Sequence, residues 1–426
     1  MIDANLHYAM RTDPLCEVDC DYERVQDFHA LRRLTGVDVG FFNASMQLER
    51  LVENSAYIRG NSTSFVVETS FDLVKARKEG IYGVLFYCQK HYPLHGSVAP
   101  LEKWYNHGLR TLQLAYNSSD LPNQAPEEML AGGSDQPEQG VTELGKAVIR
   151  ELNRLHMVVD VSHCSPRSVF DAVQLSTDPI TANHSNAYTL TPHRRNKTDE
   201  ELRAIAATGG VIGVTPVAWM LDTDGDGLAD IDDFVRHVNY MVDLVGIDHV
   251  GVATDARVDG WEKSSRHYCD EHMAAPDRWM RVAQKLKAVR DAGERPKYTE
   301  AALAKVFGGN FLRMFQRVLV GLAPPELNAP VYLDNSAGIE FSWKPARAIG
   351  VPTARYNLRL ASMVSGRLEL YTEVKELSGD HHILATSNLP TNGEFWWQVA
   401  AHNEAGQVAS PWQVINVPGE TRAFSL

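Results

Sequence analysis

The chain contains 426 residues, which is long for one ordinary domain and predicts two. Hydrophobic residues make up 44% of it, enough for a large core, and the formal net charge is -13. Nucleic acids and anionic membranes bind clustered Lys and Arg, so this acidic balance argues against both as partners. No segment approaches the roughly 18 unbroken apolar residues of a membrane-spanning helix, so we predict no membrane insertion.

The 5 cysteines are scattered and show no paired Cys-x-x-Cys spacing. Such usage is typical of reduced thiols, and the sequence opens without the basic and apolar segments of a signal peptide. We therefore predict a cytoplasmic protein. A leader removed during maturation would make it periplasmic or secreted instead.

Eight short runs rich in Val, Ile and Leu predict buried parallel strands, and helical patterns fill the intervals. The predicted strands are 2–8, 37–43, 82–89, 109–117, 157–162, 179–183, 210–215 and 249–254. The predicted helices are 22–34, 47–58, 65–79, 142–155, 199–207, 231–245, 274–290 and 299–317. The polar segment 118–140 has the length of a lid or binding loop.

This alternation of strands and helices demands parallel pairing with right-handed crossovers. A (β/α)8 TIM barrel and an open doubly wound sheet both provide it. We favour the barrel because there are eight strands and because no Gly-rich phosphate-binding turn follows the first. The expected fold class is thus α/β.

The texture of the sequence changes at the Pro-rich segment 322–326. Beyond it, apolar and polar residues alternate in short runs, which predicts a small all-β, immunoglobulin-like sandwich. The pattern around Trp343, Tyr356 and Trp397 resembles a fibronectin type III module, a kind of domain that mostly acts as a spacer or docking surface. The predicted domains are therefore 1–322 and 327–420.

Polar side chains collect where the predicted barrel strands end. They are Asn5, His7, Gln89, Tyr116, His163, His184 and Asp255. The carboxyl ends of the strands form the active site of a (β/α)8 barrel, and imidazole and carboxylate groups are the usual ligands of a catalytic zinc ion. A lone histidine is more often structural, but several at consecutive strand ends favour a metal site.

Several motifs together resemble the membrane (renal) dipeptidase family of metallopeptidases, within the amidohydrolase superfamily. The motifs are GLRTLQLAYN (108–117), ELGKAVIRELN (143–153), DVSH (160–163), NHSN (183–186), RRNKTD (194–199) and GIDHVGVATD (246–255). The resemblance implies the barrel fold and zinc-dependent hydrolysis of a dipeptide or similar small amide with a free carboxylate. Members of this family are commonly dimers, so it also implies a homodimer.

The resemblance assigns roles to individual residues. His163 and His184 match zinc ligands, Asp255 matches the aspartate that handles the proton, and Arg195 matches the arginine that binds the substrate carboxylate. In this chain Tyr116 stands where family members have a histidine that helps to hold the tetrahedral intermediate. We therefore expect Tyr116 to be catalytic together with Asp255.

Two departures concern the metal itself. Gln89 stands in place of the glutamate that bridges two zinc ions, and Asn5-Leu-His7 stands in place of a His-x-Asp motif. A neutral amide brings neither the charge nor the two equivalent oxygens of a bridging carboxylate. We therefore predict one zinc ion, bound by His163, His184 and His7, with Asp255 as a further ligand or as the base. Gln89 and Asn5 are then expected to contact the substrate.

A second metal motif lies between the seventh and eighth predicted strands. Carboxylates stand at positions 1, 3, 5, 9 and 12 of an EF-hand-like loop, a glycine stands at position 6, and the backbone carbonyl of position 7 is the remaining ligand. These residues are Asp222, Asp224, Asp226, Leu228, Asp230 and Asp233. The pattern predicts a structural calcium ion, although acidic residues also favour helix N-termini without any metal.

The sequence thus predicts a metal-dependent hydrolase that acts on a small peptide or amide. Two alternatives remain open. One is a different, possibly metal-free, tailoring reaction on a peptide-derived metabolite within the same barrel. The other is a non-catalytic protein that binds a small peptide through Arg195.

Overall fold

The computed structural model describes two compact units, Met1–Leu319 and Val320–Leu426. The residues it describes are 1–6, 27–44, 48–89, 94, 96–117, 128–256, 273, 277–319, 325–333, 338–344, 355–364, 367–385, 393–403, 406–410 and 413–417. The predicted histidine ligand His7 and residues 118–127 of the predicted loop lie outside them.

The first unit is a closed parallel barrel. Its strands are β1 (Ile2–Leu6), β2 (Val39–Asn43), β3 (Ser64–Val66), β4 (Tyr82–Cys88), β5 (Leu109–Gln113), β6 (Val158–Asp160), β7 (Thr181–Ala182), β8 (Val211–Val214) and β9 (Val250–Ala256). The ring runs β1-β2-β4-β5-β6-β7-β8-β9 and closes because β9 pairs with β1. The predicted (β/α)8 TIM barrel is therefore confirmed.

One strand lies outside the ring and corrects the prediction of a helix over 65–79. β3 pairs with the amino-terminal part of β4, whereas β5 pairs with the carboxyl-terminal part of the same edge. The helix begins only at Ser70, where Thr69 and Asp72 form a capping box. Phe65, Val66 and Val67 precede that cap, and β-branched and aromatic residues are favoured in strands.

The helices surround the barrel and mostly follow the predicted positions. They are α1 (Phe28–Thr35), α2 (Leu48–Gly60), α3 (Ser70–Glu79), α4 (Pro100–Asn106), α5 (Glu143–Arg154), α6 (Pro166–Leu175), α7 (Asp199–Ala207), α8 (Ala218–Leu221), α9 (Ile231–Val245), α10 (Arg278–Ala288), α11 (Glu300–Ala304) and α12 (Asn310–Val318). The predicted single helix 299–317 is interrupted between α11 and α12, where Gly308 adopts a φ of 137° that side-chain-bearing residues rarely tolerate.

The barrel strands pack against the last helix of the unit. Phe311 and Phe315 of α12 make edge-on ring contacts with Phe41 of β2, at centroid distances of 5.5 and 5.3 Å. Gly251 of β9 is required here, because a Cβ atom would lie 2.5 Å from the Phe311 ring. Each of these buried aromatic side chains contributes about 2–3 kcal/mol of hydrophobic stabilisation.

The second unit consists of two antiparallel sheets. Its strands are β10 (Glu326–Leu327), β11 (Val331–Tyr332), β12 (Ile339–Lys344), β13 (Arg355–Val364), β14 (Arg367–Leu377), β15 (His381–Leu384), β16 (Gly393–Asn403), β17 (Gly406–Ala409) and β18 (Gln413–Val417). One sheet contains β10, β11, β12 and β15, and the other contains β13, β14, β16, β17 and β18. Phe341 and Trp343 from the first sheet share a buried core with Leu358, Trp397 and Val399 from the second. The predicted all-β, immunoglobulin-like sandwich is confirmed.

Within the part of the chain that the structure describes, every helix is too short or too polar to cross a membrane.

A buried histidine on α9 joins the segments that follow β7 and β8. His237 Nδ1 accepts a hydrogen bond from the backbone N–H of Ala187 (3.2 Å), and its Nε2 lies 3.1 Å from the carbonyl oxygen of Leu221. Burial lowers the pKa of His237 to about 4. The ring is therefore neutral at neutral pH, with Nδ1 as the acceptor and Nε2 as the donor.

We expect this histidine to make the protein sensitive to mild acid. Between pH 6.5 and 4 the unfolded chain binds a proton that native His237 does not, so the free energy of unfolding falls as the pH falls. From pH 7 to pH 5 the loss is about 2 kcal/mol. A His237→Asn variant should be less stable at pH 7 and should lose about 2 kcal/mol less on acidification. Urea unfolding at both pH values measures this, and equal losses in the two proteins would refute it.

Candidate active site

The closing of the barrel brings three predicted site residues together. β6 and β7 are neighbours in register, with Asp160 opposite Thr181, and His163 and His184 each follow three residues later. Gln89 directly follows β4, which is separated from β6 only by β5. Parallel strands present their carboxyl ends at one side of a barrel, so the three side chains meet there.

The meeting point is a triangle of nitrogen atoms. The Nε2 atoms of His163 and His184 lie 3.0 Å apart, and Gln89 Nε2 lies 3.3 Å from the first and 3.4 Å from the second. His184 is fully buried, and His163 and Gln89 are each 5% exposed. The sequence placed Gln89 against the substrate, whereas the structure places it directly against the two histidines.

The other ring nitrogen of His163 is held from outside the triangle. Its Nδ1 lies 3.1 Å from Asn117 Oδ1, which also accepts a hydrogen bond from Ser134 Oγ at 2.7 Å. Tyr116 stacks on the imidazole, with ring centroids 4.2 Å apart and an interplanar angle of 19°. These contacts fix both the position and the plane of the ring.

His184 is held in the same way by the residue that precedes it. Its Nδ1 makes a short hydrogen bond to Asn183 Oδ1, and its backbone N–H donates to Ser162 Oγ at 3.2 Å. Ser162 Oγ lies in turn 2.6 Å from the carboxylate of Asp160. Burial raises the pKa of Asp160 to about 6, and the hydrogen bonds that it accepts oppose the rise.

This arrangement fits a bound cation. In the neutral rings, Nδ1–H donates to the amide oxygen of Asn117 or Asn183, so each Nε2 presents a lone pair to the other. Two such lone pairs at 3.0 Å repel unless a proton, an N–H group or a metal lies between them. Metal-binding histidines commonly donate their second ring N–H to a protein oxygen in just this way. The chemistry of His163 and His184 therefore fits zinc ligation.

Arg195 contacts the turn that carries His163. Its Nη1 donates a short hydrogen bond to the carbonyl oxygen of Ser162, and Lys197 Nζ donates to the carbonyl of Cys164 at 2.8 Å. Two cations thus bind the two carbonyl groups that flank His163. Burial lowers the pKa of Arg195 to about 10, and the negative charge of Asp255 opposes this, so the guanidinium stays charged at neutral pH.

Asp255 contributes negative charge near Arg195. It lies in β9 and has a left-handed backbone conformation, with φ of 50°, which is uncommon outside glycine but tolerated by aspartate. Among the described residues, no His, Cys, Asp or Glu joins His163 and His184 in a group of three within ligand distance. This geometry favours the base over the ligand for Asp255.

The remaining predicted residues are at the edge of what the structure describes. Asn5 lies in β1, which pairs with β9 and so belongs to the same ring. His7 follows it outside the described residues. Sequence reasoning assigned no role to Asn117, Asn183, Ser162 or Asp160, although each lies in one of the quoted motifs. An asparagine next to a histidine at a strand end was the available signal.

The acidic loop after α8 gathers only part of the predicted calcium ligands. Asp222, Asp224 and Asp226 each place a carboxylate oxygen within 4.8 Å of the others. Asp230 and Asp233 instead form a capping box at the start of α9, and Leu228 is exposed. Three of the five predicted carboxylates therefore converge.

Comparison with protein families gives one match to the barrel unit. Residues 34–320 match the family described as Membrane dipeptidase (Peptidase family M19). An uncharacterized dipeptidase of Schizosaccharomyces pombe is 33% identical over 190 residues, which cover 44% of this chain and 45% of that protein. An uncharacterized protein of Klebsiella pneumoniae, described by its position in the pqqA 5' region, is 29% identical over 252 residues, 58% of this chain and 86% of that protein.

Solved structures show the same fold. An amidohydrolase from Pseudomonas aeruginosa aligns with a TM-score of 0.60 and 21% identity, over 75% of this chain and 96% of its own. A metallopeptidase from Rhodobacter sphaeroides, liganded with a phosphinate mimic of the dipeptide L-Ala-D-Ala, aligns with a TM-score of 0.59 and 20% identity, over 74% of this chain and 99% of its own. At such identities the likeness concerns the fold alone.

We expect the two histidines to be necessary for metal binding. His163→Ala and His184→Ala should each reduce zinc from about one ion per chain to none while leaving the fold intact, because each removes one lone pair from the triangle. Elemental analysis after zinc loading measures the content, and circular dichroism checks the fold. His249→Ala is the matched control. His249 precedes β9 at the amino-terminal end of that strand, away from the site, and its Nδ1 contacts the carbonyl oxygen of Gly210. Full zinc content in either site variant would refute the assignment.

Proposed function

Because the chain belongs to the membrane dipeptidase family, we propose that it is a zinc-dependent hydrolase of dipeptides or similar small amides that carry a free carboxylate. The observation that carries this proposal is the nitrogen triangle, in which two buried imidazoles direct their lone pairs to one point. We propose one zinc ion there, bound by His163 and His184, with His7 as the third ligand. Bound zinc supplies the Lewis acidity that makes water nucleophilic near neutral pH.

The protein's own residues supply the rest of the chemistry. Asp255 accepts a proton from the attacking water and passes it to the leaving amine, a role that requires a carboxylate close to the scissile bond. We propose that Tyr116, whose ring stacks on that of His163, donates its hydroxyl to the oxygen of the tetrahedral intermediate. We propose that Gln89 and Asn5 contact the bound peptide.

Arg195 binds the substrate carboxylate. One of its nitrogens is already used by the Ser162 carbonyl, which fixes the plane of the guanidinium. The remaining N–H groups form a fork that matches a carboxylate and that a lysine cannot imitate. Burial of the group strengthens this recognition, because the charge is poorly screened there.

Gln89 gives a specific reason to keep a second candidate function. As placed, its amide nitrogen donates toward both histidines and so satisfies their lone pairs without a metal. The second candidate is therefore a metal-free protein that binds a small peptide through Arg195. Zinc-loaded protein that hydrolyses a dipeptide, with loss of turnover in Asp255→Asn but no loss of zinc, would support the hydrolase. Peptide binding without turnover at any metal content would support the alternative.

A structural calcium ion is proposed for the acidic loop. The three converging carboxylates of Asp222, Asp224 and Asp226 are hard oxygen ligands of the kind that calcium prefers. Such an ion would hold the three carboxylates of the loop together and offset their mutual repulsion.

Replacement of the substrate arginine should affect substrate binding more than turnover. We expect Arg195→Lys to raise KM for a dipeptide about 10- to 100-fold, the equivalent of about 1.5–3 kcal/mol for a lost charge-assisted hydrogen bond. Steady-state kinetics with a dipeptide and with its C-terminal amide measure this. The amide should be a poor substrate for both proteins, with similar KM values. An unchanged KM for the free dipeptide would show that the carboxylate is bound elsewhere.

Calcium should stabilise the wild-type protein and not an Asp224→Ala variant. The variant removes one of the three converging carboxylates, so its melting temperature should match that of the wild type in chelator and fall several degrees below it with calcium. Asp232→Asn is the matched control, because Asp232 is on α9 outside the cluster and pairs with Lys285 at 2.8 Å. The same deficit in chelator and in calcium would reject the calcium site.

A further inference from the structure

We propose that the buried Asp160 is a positioning residue that holds His184 and Arg195 in the geometry the reaction needs. The inference rests on the proposed function, since it concerns the same site. Neither the family match nor the predicted ligands identify this role of Asp160. Asp160 touches no reacting group itself and acts through the turns that follow β6 and β7.

A single carboxylate oxygen of Asp160 accepts several hydrogen bonds. Asp160 Oδ1 accepts from the backbone N–H of Ser162 (2.9 Å), from Ser162 Oγ (2.6 Å) and from the backbone N–H of Asn183 (3.3 Å). Asp160 is fully buried at the last position of β6, and the Asn183 bond crosses to the neighbouring turn after β7. One oxygen therefore joins the two turns that carry the histidines.

Ser162 and Asn183 connect this oxygen to the ring of His184. Ser162 Oγ also lies 3.0 Å from Asn183 Oδ1, the atom that accepts the hydrogen bond of His184 Nδ1. The Ser162 hydroxyl has one proton, and the shorter contact gives it to Asp160. Loss of the Asp160 oxygen would redirect this proton to Asn183 Oδ1, where it competes with the hydrogen bond from His184 Nδ1. The tautomer of His184, and with it the direction of its Nε2 lone pair, depends on the hydroxyl and the amide staying in place.

Ser162 also connects Asp160 to Arg195. The carbonyl of Ser162 accepts the hydrogen bond of Arg195 Nη1, so the residue that Asp160 holds through its hydroxyl also holds the substrate arginine through its carbonyl. The positions of His184 and Arg195 thus both depend on Ser162. A displacement of Ser162 would disturb metal binding and carboxylate binding together.

The unused oxygen of Asp160 provides a sharp variant. Asp160 Oδ2 is buried and accepts no hydrogen bond from the residues that the structure describes. Asp160→Asn can therefore keep all three bonds to Oδ1 while it removes the charge, whereas Asp160→Ala removes the bonds as well. Ser162→Ala removes the hydroxyl, with its contacts to Asp160, to Asn183 and to the backbone N–H of His184, and provides a second route to the same test. Asp171→Ala is the matched control, because Asp171 on α6 accepts from the backbone of Val141 at 3.0 Å, outside the triangle.

The experiment measures the zinc dissociation constant by competition with a chromophoric chelator. We expect Asp160→Ala and Ser162→Ala to weaken zinc binding about 10- to 100-fold, and Asp160→Asn and Asp171→Ala to stay within about threefold of wild type. Absorption spectra of the cobalt-loaded proteins should change in the same two variants. Wild-type affinity in both Asp160→Ala and Ser162→Ala would overturn the proposal, and so would failure of Asp160→Asn to restore it.

A metal-free measurement separates this proposal from the proposed function. In protein labelled with 15N-histidine, NMR should show the His184 proton on Nδ1 in the wild type and in Asp160→Asn, with exchange between tautomers in Ser162→Ala. A proton on Nε2 in the wild type would overturn the positioning role even if zinc binds. Absence of zinc binding in a wild-type protein that shows the expected tautomer would overturn the hydrolase proposal alone.

Discussion

The close approach of two imidazole nitrogens determines much of what surrounds this site. His163 and His184 are brought together by the pairing of β6 with β7, because each lies three residues beyond one of the paired residues Asp160 and Thr181. Their lone pairs repel at this distance unless something electropositive lies between them. The asparagines on the outer ring nitrogens and the amide of Gln89 are consistent with that single requirement.

Much of the fold could be predicted from the sequence because its elements depend on short-range patterns. Buried strands, helix caps and the change of texture after residue 322 are local features, and the barrel and the sandwich follow from them. Where the structure differs, a tertiary contact decides against a local pattern. Residues 65–67 continue a helical pattern, yet they form a strand because β4 offers an unpaired stretch of edge beside them. Asp230 and Asp233 match calcium-loop positions and also form the capping box of α9, so their role as calcium ligands stays a prediction.

The residues behind the histidines were harder to identify. Asn117 and Asn183 come from different turns, and their roles appear only when the register of β5, β6 and β7 places their oxygens against Nδ1 atoms. The contact of Gln89 with both rings has the same origin. Residue type and spacing predict which groups reach the carboxyl end of the barrel, whereas the order of hydrogen bonds among them depends on distances of a few tenths of an ångström.

Charge balance supports one metal ion over two at this site. Among the described residues, Arg195 carries one positive charge and Asp160 and Asp255 one negative charge each, while Lys197 is paired with Glu201 at 3.5 Å. One dication together with the carboxylate of a substrate brings this set to neutrality. A second dication would leave two buried positive charges without partners, because Gln89 contributes none of the negative charge that a glutamate would bring. Uncompensated buried charge is costly, so glutamine in place of the glutamate fits the single ion that we propose better than a pair of ions.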